Sequence, residues 1–123
     1  MRIGLLAKNP MNTHMDARTI WIAYIKAVQV IFPIPHEKVT LYEILRDGEV
    51  IASIDAKDGI HPSIFDHDKH TNLFWKSSKH ELFYQDEDVE PHSRHKYQVK
   101  AYRYPEDTEN WYKESSVMEV VAT

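Results

Sequence analysis

Apolar and polar positions alternate most clearly near residue 100. Tyr97, Val99 and Ala101 fall on one side, and Lys96, Gln98 and Lys100 on the other. A period of two with one wet face predicts a half-buried antiparallel strand over Arg94 to Tyr104. The acidic segment 84–91, closing on Pro91, reads as the turn that feeds it. Val39 to Arg46 predicts a second strand. Asp47-Gly48 is a hairpin turn signal, and Glu49 to Ile54 supplies the partner strand. Short strands are expected at Leu73 to Trp75 and Glu81 to Tyr84, and a last one, in one or two pieces, over Trp111 to Ala122.

Residues 19–32, TIWIAYIKAVQVIF, are dense in Ile, Val and aromatics, which favours strand. Two strands are expected, Thr19 to Ile25 and Ala27 to Phe32, before Pro33 and Pro35 stop the ladder. The alternative is a helix starting near Ala17 and capped by Asp16. Residues 1–18 read as an N-terminal extension and 55–72, punctuated by Gly59 and Pro62, as a polar insertion. About seven strands with turns between them predict an all-β, two-sheet antiparallel sandwich over 19–123.

Composition narrows the function classes. The chain has 123 residues, 42% hydrophobic and 28% charged, which suits one packed domain rather than a disordered acidic chain. Its net charge of −4 is uneven: residues 1–54 carry +1 and residues 55–123 carry −5. No basic cluster offers a phosphate surface, so nucleic acid is not expected as a partner. With no cysteine there is neither a disulfide framework nor a thiolate site. The longest apolar run, Ile20 to Phe32, is broken by Lys26 and Gln29 and is shorter than the ~20 residues of a membrane helix. Ile3 to Ala7 is too short for the core of a signal peptide. Cytoplasmic synthesis is therefore expected, with incorporation into a virion or a larger surface protein as further settings.

Several stretches resemble a fibronectin type III domain: AVQVIF (27–32), YEILRDGEVIA (42–52), YQDEDVEP (84–91), HKYQVKAYR (95–103) and SSVMEVVAT (115–123). Tyr42, Ile44, Arg46, Asp47 and Gly48 match the family's C strand and its turn into C′. Tyr84, Asp86, Val89, Pro91, Val99 and Ala101 match the approach to, and body of, strand F. Phe32 stands where the family usually has Trp, His92 where Gly follows the Pro, and His95 at the tyrosine-corner position. The resemblance implies a fibronectin type III-like sandwich with a long C′–E insertion, acting as a binding module or spacer. Such domains occur in cell-surface proteins, beside bacterial carbohydrate-active enzymes, and in phage or prophage structural proteins.

Strand parity then gives a candidate surface. With Tyr42, Ile44 and Arg46 inward, the outer face of strands C, F and G is expected to carry Leu41, Leu45, Lys100, Tyr102, Tyr104, Val117 and Val121. An apolar patch bordered by tyrosines has the composition of a protein–protein contact, with a larger protein or with a second copy. The competing reading is that residues 1–18 or the insertion fold back over it. Exposed Trp75 and Trp111 make carbohydrate the alternative ligand.

The third reading is a small metal site or hydrolase in the insertion, at His61, Asp66, His67, Asp68 and His70. A solvated polar loop explains the same residues. The acidic second half also holds six of the eight histidines, the raw material of a pH response. The serines lie in no nucleophile-elbow context and three glycines build no phosphate loop. A non-catalytic module without cofactor is the expectation.

Overall fold

The computed structural model describes residues 14–34, 39, 41–55, 73–76, 81–103 and 111–123. Ten strands account for the regular structure of these residues, and no helix occurs among them. They are β1 (His14–Met15), β2 (Arg18–Ile22), β3 (Ala27–Pro33), β4 (Leu41–Arg46), β5 (Glu49–Asp55), β6 (Leu73–Lys76), β7 (Glu81–Asp86), β8 (Arg94–Arg103), β9 (Trp111–Ser115) and β10 (Met118–Val121). One sheet has the order β1-β9-β8-β4-β5, with β10 also paired to β8; the other has the order β2-β3-β7-β6. Every pairing is antiparallel except that of β1 with β9. The chain is all-β and two-layered.

The alternation in the sequence explains the layering. Tyr97, Val99 and Ala101 of β8 are fully buried, as are Tyr42 and Ile44 of β4, and they meet Val28, Val30 and Phe32 of β3 and Leu82 of β7. The rings of Phe32 and Tyr42 pack tilted at 5.2 Å. Each such side chain contributes on the order of 1.5–3 kcal/mol by leaving water, and together they hold the two sheets.

Residues 19–32 form two strands, not a helix. The β2–β3 hairpin turns through Ala23–Lys26, with Ile25 N–H donating to the Ile22 carbonyl at 3.3 Å and Lys26 N–H to that of Ala23 at 3.1 Å. β-Branched residues on both sides of the turn outweigh a single possible helix cap. At Asp47-Gly48 both residues take positive φ, 54° and 86°, as a type I′ hairpin turn requires. The expected extension gives its last residues to the sandwich. Met15 is buried in the core, and its strand adds to β9 in the register Met15 to Ser115.

The closing strand breaks in two because Ser115 diverts the ladder. Its hydroxyl accepts the Val99 N–H at 2.9 Å and donates to the Ser116 carbonyl, and β10 restarts at Met118 against Tyr97.

Candidate interaction face

On the outside of the larger sheet, cross-strand registers stack side chains into rows. Val50, Leu45 and Gln98 stand opposite one another on β5, β4 and β8, and Val117 leads into β10 beside them. The next row is charged: Glu43, Lys100 and Glu114, with the cation between two carboxylates. Beyond it Leu41 faces Tyr102, whose phenol donates to the Glu43 carboxylate at 2.9 Å. Cross-strand contacts of this kind are the unit of sheet stability, at roughly 0.2–1 kcal/mol each.

Leu45 and Val117 face a groove of about 690 Å3 at one end of this sheet. Tyr97 and Gln98 form part of its floor, and Asp47, Gly48, Arg94, Lys96 and Glu119 rim it. Leu45 is on the expected side yet only 8% exposed, next to a shift in the ladder register between Ile44 and Leu45. Val117 and Val121 are open, at 58% and 42%. Leu41, Lys100 and Tyr102 are half-buried, and Tyr104 lies outside the described residues. The sandwich therefore brings Leu45 and Val117 together at the groove and spreads Leu41, Lys100 and Tyr102 along the same face.

The rim is built by backbone as much as by side chains. Asp47 N–H donates to the Lys96 carbonyl at 2.7 Å, and the Lys96 N–H returns a bond to Asp47 Oδ1 at 2.9 Å. These bonds clamp the β4–β5 turn to β8. Asp47 Oδ2 lies 2.6 Å from His95 Nδ1, and His95 Nε2 lies 3.1 Å from Ser93 Oγ. The hydrogen bond from His95, with that from the Lys96 amide, holds the Asp47 carboxyl below the usual carboxylate range. Ser, His and Asp occur here in the order of a hydrolase relay, which sequence reasoning missed because Asp47 is 48 residues from His95. The hydroxyl proton, however, is committed: Ser93 Oγ donates to the Glu90 carbonyl at 2.6 Å, fixing the turn before β8. The trio thereby braces the β4–β5 turn against the turn before β8.

Arg94 reaches Glu119 at 3.3 Å across the strand pair, while the Lys96 ammonium has no partner among the described residues. His95, expected at a tyrosine corner, thus spends its ring on Asp47 and Ser93. Tyr97, two positions on, is the tyrosine that makes an interior bond.

The outer face of the other sheet is of different character. Phe74 and Phe83 are cross-strand partners whose rings stack at 5.2 Å and 24°, with Gln29 and Gln85 hydrogen-bonded at 3.2 Å on the neighbouring strands. The side chains of Trp75 and Trp111, and the whole 61–70 cluster of His61, Asp66, His67, Asp68 and His70, lie outside the described residues. Among the described residues no group of three or more His, Asp or Glu gathers as metal ligands do, and no helix is long and apolar enough to cross a membrane.

Comparison with known protein families gives no match for this sequence, and comparison with curated proteins gives none either.

Proposed function

We propose that the chain is a fibronectin type III-like, non-catalytic interaction or structural module that meets its partner through the outer face of β4, β8 and β10. The observation that carries the reading is the groove beside Leu45 and Val117: an apolar floor, an open valine and a charged rim on the outer face of the larger sheet. Association surfaces pair an apolar centre with a polar border in this way. The fibronectin type III resemblance is supported by the strand order, β2-β3-β7-β6 facing β5-β4-β8-β9, and by His92. That residue takes φ 68° where the family has Gly. By analogy with that family, the setting is a phage or prophage structural protein or a bacterial surface protein.

The test is photocrosslinking. A benzophenone side chain at Val117 is expected to give a discrete higher-mass adduct with the partner, and one at Phe74, on the opposite face, is not. Val117→Glu, at a position already in water, is expected to abolish capture without lowering thermal stability. Crosslinks from Phe74 alone would retire the reading.

A further inference from the structure

Asp47-Gly48 is a reactive pair as well as a turn. An aspartate followed by glycine can close on itself, the Gly48 backbone nitrogen attacking the Asp47 side-chain carbon Cγ. A C–N bond forms, a carboxyl oxygen leaves as water, and a five-membered succinimide results. Water then reopens the ring, in part at the old backbone carbonyl. That opening leaves an isoaspartyl link with one extra methylene in the main chain. Mass is unchanged, and nothing is oxidised or reduced. Glycine permits the approach because it has no Cβ to block it. Gly48 is open here, with no neighbouring atom within 4 Å of where a side chain would begin.

The electrophile is held away from that nitrogen. In the strand order β8-β4-β5 the chain leaves Asp47 toward β5, whereas its carboxylate is fastened to β8 on the other side of β4. Oδ1 accepts the Lys96 N–H at 2.9 Å, and Oδ2 lies 2.6 Å from His95 Nδ1. The Asp47 N–H, bonded to the Lys96 carbonyl at 2.7 Å, fixes the backbone from which the side chain springs. Both oxygens must leave their partners before Cγ can swing to Gly48. The same bonds favour the anion, and the carboxyl loses water readily only when protonated.

We infer that Asp47-Gly48 is a latent isoaspartate site, kept closed by the clamp from β8. The inference concerns the chemistry of the turn and stands apart from the identity of any partner. Its consequence for the interaction face is direct. Hairpin register follows from loop length, so one added methylene breaks the two-residue turn that sets Arg46 opposite Glu49. The displaced carboxylate no longer reaches Lys96 and His95, and the rim of the groove comes undone.

Ageing the whole chain in warm, neutral buffer tests this, with aspartyl and isoaspartyl peptides separated by retention at equal mass. Asp47 in the folded chain is expected to convert at least about tenfold more slowly than in guanidinium chloride, as two bonds to a carboxylate imply. Asp58-Gly59, the chain's other such pair, lies outside the described residues and serves as the clock in the unfolded chain. His95→Ala, which frees Oδ2, is expected to speed the folded reaction at least about threefold. Arg18→Ala, on the smaller sheet, controls for lost stability and is expected to leave Asp47 as slow as in wild type. If folded and unfolded chains convert alike, the site is not protected and the inference falls. It falls too if His95→Ala matches Arg18→Ala, since the turn alone is then the shield.

Discussion

Tyr97 and Asp86 come from opposite sheets, and the buried phenol of one donates to the carboxylate of the other at 2.6 Å. Arg46 completes the arrangement, with Nη1 at 3.0 and 2.8 Å from the two Asp86 oxygens, while Asp86 Oδ1 also accepts the Asp88 amide at 3.1 Å. One carboxylate therefore ties β4, β7 and β8 to the start of the acidic turn. Burial raises the Tyr97 phenol well above its ordinary value, and its bond to Asp86 adds to the shift, so it remains a donor at any physiological pH. Desolvation works against the charge on Arg46, and the bonds to Asp86, together with the nearby Asp86, Tyr97 and Asp88 charges, outweigh it.

Removing the two ends of this bond is not equivalent. Tyr97→Phe deletes one charge-assisted hydrogen bond and is expected to cost about 1.5–3 kcal/mol in urea unfolding. Asp86→Ala leaves the buried Tyr97 hydroxyl without its acceptor and leaves Arg46 only the Asp88 carbonyl at 3.3 Å and carboxylate at 3.6 Å, and is expected to cost more, about 3–5 kcal/mol. If the two variants unfold at the same urea midpoint, the carboxylate is not the hub.

At the turn into β8 a strained residue can be relieved. His92 follows Pro91 at φ 68°, and its N–H donates to the Ala122 carbonyl while Ala122 N–H returns a bond to Ser93 at 2.8 Å. A side chain in the left-handed region costs roughly 1–2 kcal/mol, part of which Gly gives back through its looser unfolded chain. His92→Gly is expected to raise stability by about 0.5–1 kcal/mol with no change in the urea m-value. A loss of stability would mean that the imidazole makes a contact worth more than the strain.

How much of this was legible in the sequence depends on the range of the interaction. The inward side of β8, the Asp47-Gly48 turn and the paired strands of 19–32 were readable because each is set by residues within a few positions. Arg46 was readable as inward, but not its partner, since Asp86 is 40 residues away and looked like one more acid in a turn. Leu45 was placed on the correct face and misjudged in exposure, because strand parity tells which side a residue takes and not what its cross-strand neighbours cover. Met15 was assigned to an extension for a similar reason: a two-residue strand is too short to show a period.

The brace at the groove rim makes stability depend on pH from the acid side. Asp47 has its pKa lowered in the folded chain, so its contribution is in place above the unfolded carboxylate value and is lost as pH falls through the folded one. Asp47→Asn keeps a side chain tolerant of the positive-φ turn but removes the charge. Wild type is expected to be the more stable at neutral pH, by a modest margin because the carboxylate is half-exposed and screened. The gap should close on acidification. Urea midpoints taken from pH 7 downward check this, and a gap that widens toward acid would refute the assignment.

On the smaller sheet an ion pair acts as a lid. Ile31 points away from the core by strand parity, yet it is buried. Its cross-strand neighbours are Arg18 on β2 and Phe83 on β7. Arg18 reaches over β3 to Glu81, with Nη1 to Oε2 at 2.7 Å and Nη2 to Oε1 at 3.3 Å, so the stem of the arginine lies across the isoleucine. The Glu81 bond raises the Arg18 pKa, but the guanidinium is half-exposed, and an exposed pair is worth only about 0–1 kcal/mol. The packing of the stem is expected to be the larger contribution. Arg18→Met, which keeps an apolar chain and drops the charge, is therefore expected to retain most of the stability that Arg18→Ala loses. Thermal unfolding at low and high salt separates the two accounts. If Arg18→Met falls as far as Arg18→Ala, and the wild-type advantage vanishes in salt, then the charge and not the cover is what shields Ile31.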